Sequence, residues 1–138
     1  MSKLDTHSVT GISSLLVHAA KIDEIYSEHE KSLIKEFIRS YLKDDDVNKV
    51  LKDAEEIEKN SNQLLNYTNI IKQKSSDIKK DVIEHLWRVI ISDKTIDQYE
   101  SNLMRRVCGL IYFSDKECAE IKLKLMSSKC PILLKMNV

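Results

Sequence analysis

Glycine and proline are nearly missing: the 138 residues include only 2 Gly and 1 Pro. That scarcity excludes β-rich folds built on frequent tight turns, phosphate-cradling glycine loops, G-x-G-x-x-G dinucleotide sites and collagen-like or Gly/Ser-linked architectures. Net charge is missing as well. The 22 basic residues balance 22 acidic ones, so the chain lacks the basic footprint of a nucleic-acid binder, and no nucleic-acid partner is expected. No run approaches the roughly 18 apolar residues of a spanning helix; the longest candidate, Val82 to Ile91, is broken by Glu84, His85 and Arg88. Lys3, Asp5 and His7 interrupt the first residues, which therefore do not read as a secretory signal. A cytoplasmic location is expected, with membrane association only through a partner. Cys108, Cys118 and Cys130 are odd in number and lack C-x-x-C spacing, which argues against a disulfide framework and a zinc site. Reduced thiols are expected, with Cys108 acting as a small buried hydrophobe on a helical stripe.

What is present is helical periodicity, in a length that suits one domain. Val9, Ile12, Leu15, Leu16, Ala19 and Ala20 predict a first helix over about residues 8 to 21. Leu33, Ile34, Phe37, Ile38, Tyr41 and Leu42 mark one face of a second, from Ser27 to about Leu42. Asp44, Asp45 and Asp46 stand where they can cap a third helix and meet the positive end of its dipole, and Val47, Val50, Leu51, Ala54 and Ile57 form its buried face. Asn60-Ser61-Asn62 ends it. A short fourth helix follows around Leu64 to Ile71. The fifth, about Asp77 to Ser92, is apolar on enough of its circumference to be the central buried element. A sixth runs from Asp97 to about Tyr112 and a seventh from Ser114 to about Met126, with Ser127 to Lys129 loop-like and a final apolar tail, Ile132 to Met136. The tail needs cover, from its own domain, a partner, a second copy or a membrane surface. Leu16, Leu33, Phe37, Leu86, Trp87, Ile90, Leu103 and Val107 are the expected core.

A shift of 70 residues pairs Ile12 with Val82, Leu16 with Leu86, Leu33 with Leu103, Phe37 with Val107, and also Asp23 with Asp93, Ser27 with Asp97 and Glu30 with Glu100. The chain thus reads as an all-α domain of about seven helices built from two pseudo-two-fold-related repeats. Repeat one covers about 9–59, a bridge 60–76, repeat two about 77–126 and a tail 127–138. The two paired turns carry capping boxes: Ser27 or Asp97 accepts from the amide three residues on, and Glu30 or Glu100 reaches back to the cap's own amide.

These paired turns, the Ala-Ala-x-x-Asp that closes the first helix and the Leu-Trp-Arg-Val-x-x-x-Asp that closes the fifth resemble the TerB-like domain, found in tellurite-resistance proteins and at the front of DjlA-type DnaJ-like co-chaperones. The resemblance covers roughly residues 10 to 126. The family's turn usually reads Asp-Gly, whereas Glu24 and Lys94 stand here in place of Gly. In a left-handed conformation each costs about 1 kcal/mol relative to Gly. The resemblance implies a non-enzymatic interaction or scaffold module in a tellurite or general stress-response assembly, with a protein partner.

Asp23, Glu24, Glu28 and Glu30 in one turn and Asp93, Asp97 and Glu100 in the other offer hard oxygens of the kind Ca²⁺ and Mg²⁺ prefer. The candidate cation ligands are Asp23, Glu30, Asp93, Asp97 and Glu100. Their spacing matches no EF-hand, and capping without metal explains the same residues, so no cofactor is expected on the first reading. The alternative is a divalent-cation sensor or buffer, for which the resemblance to the TerB-like domain, proposed to bind divalent cations through acidic clusters, adds weight. His18 and His29 read as solvated, and His85 as a hydrogen-bonded helix residue. No G-x-S-x-G, H-E-x-x-H or Cys/His/acid arrangement is present, and an enzyme is not expected. Before Asn69 there are 9 basic and 13 acidic residues, and after it 13 and 9. This asymmetry allows head-to-tail association or a homodimer.

Overall fold

The computed structural model describes residues 4–21, 26–61, 63, 65–91 and 98–129, excepting the side chains of 98–101 and 127–129. Among them lie seven helices and no strand: α1 (Thr6–Ala20), α2 (Glu28–Tyr41), α3 (Asp44–Asn60), α4 (Leu65–Lys72), α5 (Ser76–Ile91), α6 (Gln98–Leu110) and α7 (Asp115–Lys129). The fold class is therefore all-α, as the periodicity indicates.

α1 packs against α2, α3, α4 and α5, and its composition explains how it can. Gly11, Ser13, Ser14, Ala19 and Ala20 are all buried, and these small side chains let neighbouring helices approach from several sides. Even one methyl at Gly11 would collide with Ile70 Cδ1 on α4. Two of the buried hydroxyls are answered within the helix, Thr10 Oγ donating to the Thr6 carbonyl at 2.7 Å and Ser14 Oγ to that of Thr10 at 2.9 Å, whereas Ser13 Oγ has no partner among the described residues. α1, rather than α5, is thus the most enclosed helix. The expectation weighed large apolar side chains, whereas enclosure on all sides selects small ones.

Around it, one continuous core joins Leu16, Ile34, Phe37, Leu86, Trp87, Ile90, Leu103 and Val107, with Leu33 only partly buried at its edge. The positions paired by the 70-residue shift are buried in both halves for Ile12/Val82, Leu16/Leu86 and Phe37/Val107.

Two expectations about helix ends change. Asp44, Asp45 and Asp46 fill the first turn of α3, but the cap itself is Lys43, whose side chain makes no capping bond. The aspartates therefore act through the helix dipole. α7 continues through Ser127 and Ser128 to Lys129, ending just ahead of the single proline region. The apolar tail from Ile132 to Met136 lies outside the described residues. α6 closes with Phe113 N–H bonding the Cys108 carbonyl at 2.8 Å and Tyr112 in the left-handed region at φ 59°. This is a Schellman-type end in which a tyrosine stands where glycine is usual, at a cost of about 1 kcal/mol.

Candidate functional site

The start of α2 carries the capping box in full. Ser27 is the N-cap in extended conformation, its Oγ accepts from Glu30 N–H at 3.1 Å, and its own N–H donates to Glu30 Oε1 at 2.8 Å. Ser27 Oγ–H adds a bond to the same Oε1 at 3.2 Å. Glu30 is fully buried, and its other oxygen, Oε2, has no hydrogen-bond partner among the described residues. A cap needs only one carboxylate oxygen, so the second is left over. An unanswered, buried anionic oxygen is costly. Nearby, Tyr26 O–H donates to Glu55 Oε2 of α3 at 2.6 Å. Burial and then that carboxylate push the tyrosine hydroxyl far above its ordinary ionisation range, so it is a fixed donor. Of the other candidate cation ligands, Asp23, Asp93 and Asp97 lie outside the described residues. Glu100 is in α6, with its side chain outside them. Glu24 and Lys94 lie outside as well.

A second group of charges occupies α5, where Asp81, Glu84 and His85 bring one ligand atom each within 4.8 Å of one another. Most of their capacity is already committed. His85 Nδ1 lies 2.8 Å from the Asp81 carbonyl oxygen and 3.3 Å from Asp81 Oδ1, and Tyr41 O–H from α2 donates to Asp81 Oδ2. Glu84 pairs with Arg88 at 3.5 Å. The His85 and Phe37 rings meet in a T-shaped arrangement, with centroids 5.1 Å apart. His85 is thus a hydrogen-bonded helix residue, as its neighbours in the sequence suggest. His18 is not simply solvated: it and Lys21 both reach Glu58, at 3.3 and 2.9 Å. His29 is exposed.

Burial acts to lower the His85 imidazole and to raise the Asp81 carboxyl, and Arg88 favours the neutral imidazole too. The hydrogen bonds and opposite charge that the two offer each other, with the Tyr41 hydrogen bond and the Arg88 charge also favouring the Asp81 carboxylate, outweigh these effects, leaving His85 above its ordinary 6.5 and Asp81 below its ordinary 3.8. The His85 contribution is fully present below about pH 6.5 and lost as pH rises through the folded value. The Asp81 contribution is present above about pH 4 and lost as pH falls through its folded value. The pair therefore supports the fold most between these limits. Urea midpoints of wild type are expected to fall from pH 6 toward pH 8 more than those of His85→Gln, and parallel curves would remove the pair from the stability balance.

Comparison with protein-family models then decides the family: the model described as tellurite resistance protein TerB matches residues 10–123. The chain belongs to the TerB family. Neither the curated proteins nor the solved structures yield a match. In this TerB-family chain the matched region runs from α1 into α7 and includes the Ser27/Glu30 box and the α5 charges. Sequence reading found the box, because its spacing is local. It missed the α5 network. Asp81 and His85 stand four apart on one helix and could have been paired, but Tyr41 joins them from 40 residues away.

Proposed function

We propose that this TerB-family chain is a non-enzymatic interaction module that holds a protein partner within an assembly answering tellurite or general stress. The observation that supports this reading is the outer surface of α7. Cys118 and Ile121 are buried on its inner face, whereas Ala119, Leu123 and Met126 lie four and three residues apart along another face and are exposed, Leu123 at 64% and Met126 at 41%. An apolar stripe on the solvent side of a helix is a docking feature. Tyr112, 72% exposed and held in the left-handed region at φ 59°, stands at the turn leading into the same helix. A photo-crosslinking residue at Leu123 of the full chain, used in the native cell, is expected to trap a discrete species that Met126→Glu abolishes. The same residue at exposed Lys52 on α3 should trap none. Equal labelling at both positions overturns the reading, and a species of twice the chain mass identifies a homodimer.

A second reading is a divalent-cation sensor or buffer at the first acidic turn. Glu30 Oε2 supports it, since a buried carboxylate oxygen with no donor is what a hard cation would satisfy. Ca²⁺ or Mg²⁺ would be held there by Glu30, with Asp23 the other candidate ligand of the same turn. Among the described residues no helix is long and apolar enough to cross a membrane.

A further inference from the structure

The two described cysteines, ten positions apart in sequence, meet where α6 and α7 pack. Both are free and buried, and their thiols are within hydrogen-bonding contact. Trp87 of α5 closes the site. Its indole N–H is shared between the Cys118 carbonyl at 3.1 Å and Cys118 Sγ at 3.2 Å. The carbonyl alone would satisfy a buried indole, so the sulfur gains a donor that the packing does not require. Cys118 is also the fourth residue of α7, in the turn where the helix's free amides favour negative charge. Lys122, one turn further on, places its ammonium 5.2 Å from the centroid of the Trp87 ring.

We propose that Cys108 and Cys118 form a peroxide-oxidisable dithiol, with Cys118 the attacking sulfur and Cys108 the resolving one. The direction of the pair's ionisation agrees with this. The hydrogen bond from Cys108 and that from Trp87 lower the Cys118 thiol against the opposing effects of burial and Asp115, while Cys108, the donor, is pushed far up. In the first step the Cys118 thiolate attacks the outer oxygen of a hydroperoxide. The S–O bond forms, the O–O bond breaks, and the alcohol or water leaves after taking up a proton, giving a sulfenic acid. In the second, the Cys108 sulfur, giving up its proton, attacks Cys118 Sγ. The S–S bond forms, the S–O bond breaks and water leaves. Two thiols are oxidised by two electrons and one peroxide is reduced by two. Exposed Ser114, Lys116, Glu117 and Ala119 flank Cys118 in sequence, so oxidation requires a local opening of the first turn of α7 to bring a small peroxide to the buried sulfur.

The full native chain treated with hydrogen peroxide, quenched and then denatured is expected to show its titratable thiols falling from three to one. A single cross-linked peptide pair should contain Cys108 and Cys118. Trp87 is the only tryptophan, so its emission should change with the same time course and recover with dithiothreitol. Cys108→Ala should stop at a sulfenic acid on Cys118 that dimedone traps, whereas Cys118→Ala should give no cross-link and no change in emission. The wild-type peptide map needs no variant to fold. A cross-link to Cys130, a thiol count that stays at three, or a Cys108–Cys118 bond formed only in denaturant overturns the proposal.

Discussion

Trp87→Ala is expected to lower the folding free energy by about 3 to 5 kcal/mol, the range for deleting a large core aromatic. The indole is 4% exposed and belongs to the continuous core, so its removal opens a cavity where α5 meets α7. It also withdraws the N–H donor from the Cys118 carbonyl and sulfur. Trp87→Phe separates the two losses. It keeps much of the apolar volume and gives up the donor, so its cost is expected to be smaller, of order 1 to 3 kcal/mol. Urea denaturation followed by far-ultraviolet circular dichroism measures both: the midpoint should fall in the order wild type, Phe, Ala with the slope unchanged. An Ala variant with the wild-type midpoint would take Trp87 out of the core.

Trp87 also shows where sequence legibility ends. Its burial follows from the apolar periodicity of α5, since a helix in which Val82, Ile83, Leu86, Ile90 and Ile91 are apolar must turn the intervening indole inward. Its hydrogen-bond partner does not follow, because Cys118 is 31 residues away and is reached only after α6 has turned back. The same division holds elsewhere. The Ser27/Glu30 box was legible because a cap is a three-residue relation fixed by backbone geometry. The Tyr41–Asp81 bond and the Cys108–Cys118 contact were not, because they depend on how helices cross. The central place of α1 was obscured for a different reason. Its buried residues include Ser8, Thr10, Ser13 and Ser14, which read as polar in isolation but return hydroxyl bonds to their own helix or pack as small groups. Asp44 to Asp46 suggested a cap by composition, yet the chain enters α3 one residue earlier, at Lys43.

Glu30 is where the cap and cation readings part. On the cation reading, saturating Ca²⁺ or Mg²⁺ raises the folding stability of wild type, by about 2.7 kcal/mol at a free concentration 100 times Kd, and Glu30→Gln abolishes the rise; on the cap reading neither ion changes it. The amide is close in size and keeps an oxygen for the Ser27 N–H, which Glu30 Oε1 now accepts at 2.8 Å. It therefore preserves most of the cap while removing the charge. In chelator the Gln variant should fold with a midpoint close to that of wild type, because the acceptor of the Ser27 N–H is kept. Ser27→Ala makes the opposite trade. It loses the Oγ acceptor of the Glu30 amide at 3.1 Å, costs about 0.5 to 2 kcal/mol with or without metal, and keeps the cation increment. Melting curves at matched ionic strength, with millimolar cation or chelator, distinguish these patterns, and Asp23→Asn tests the adjacent turn in the same way. If wild type melts at one temperature under both conditions, the Glu30 carboxylate is a helix cap alone. If the rise survives in Glu30→Gln, the cation binds elsewhere. A rise confined to chains that retain the Glu30 charge ties cation binding to the first turn of α2, whose register the capping box already fixes.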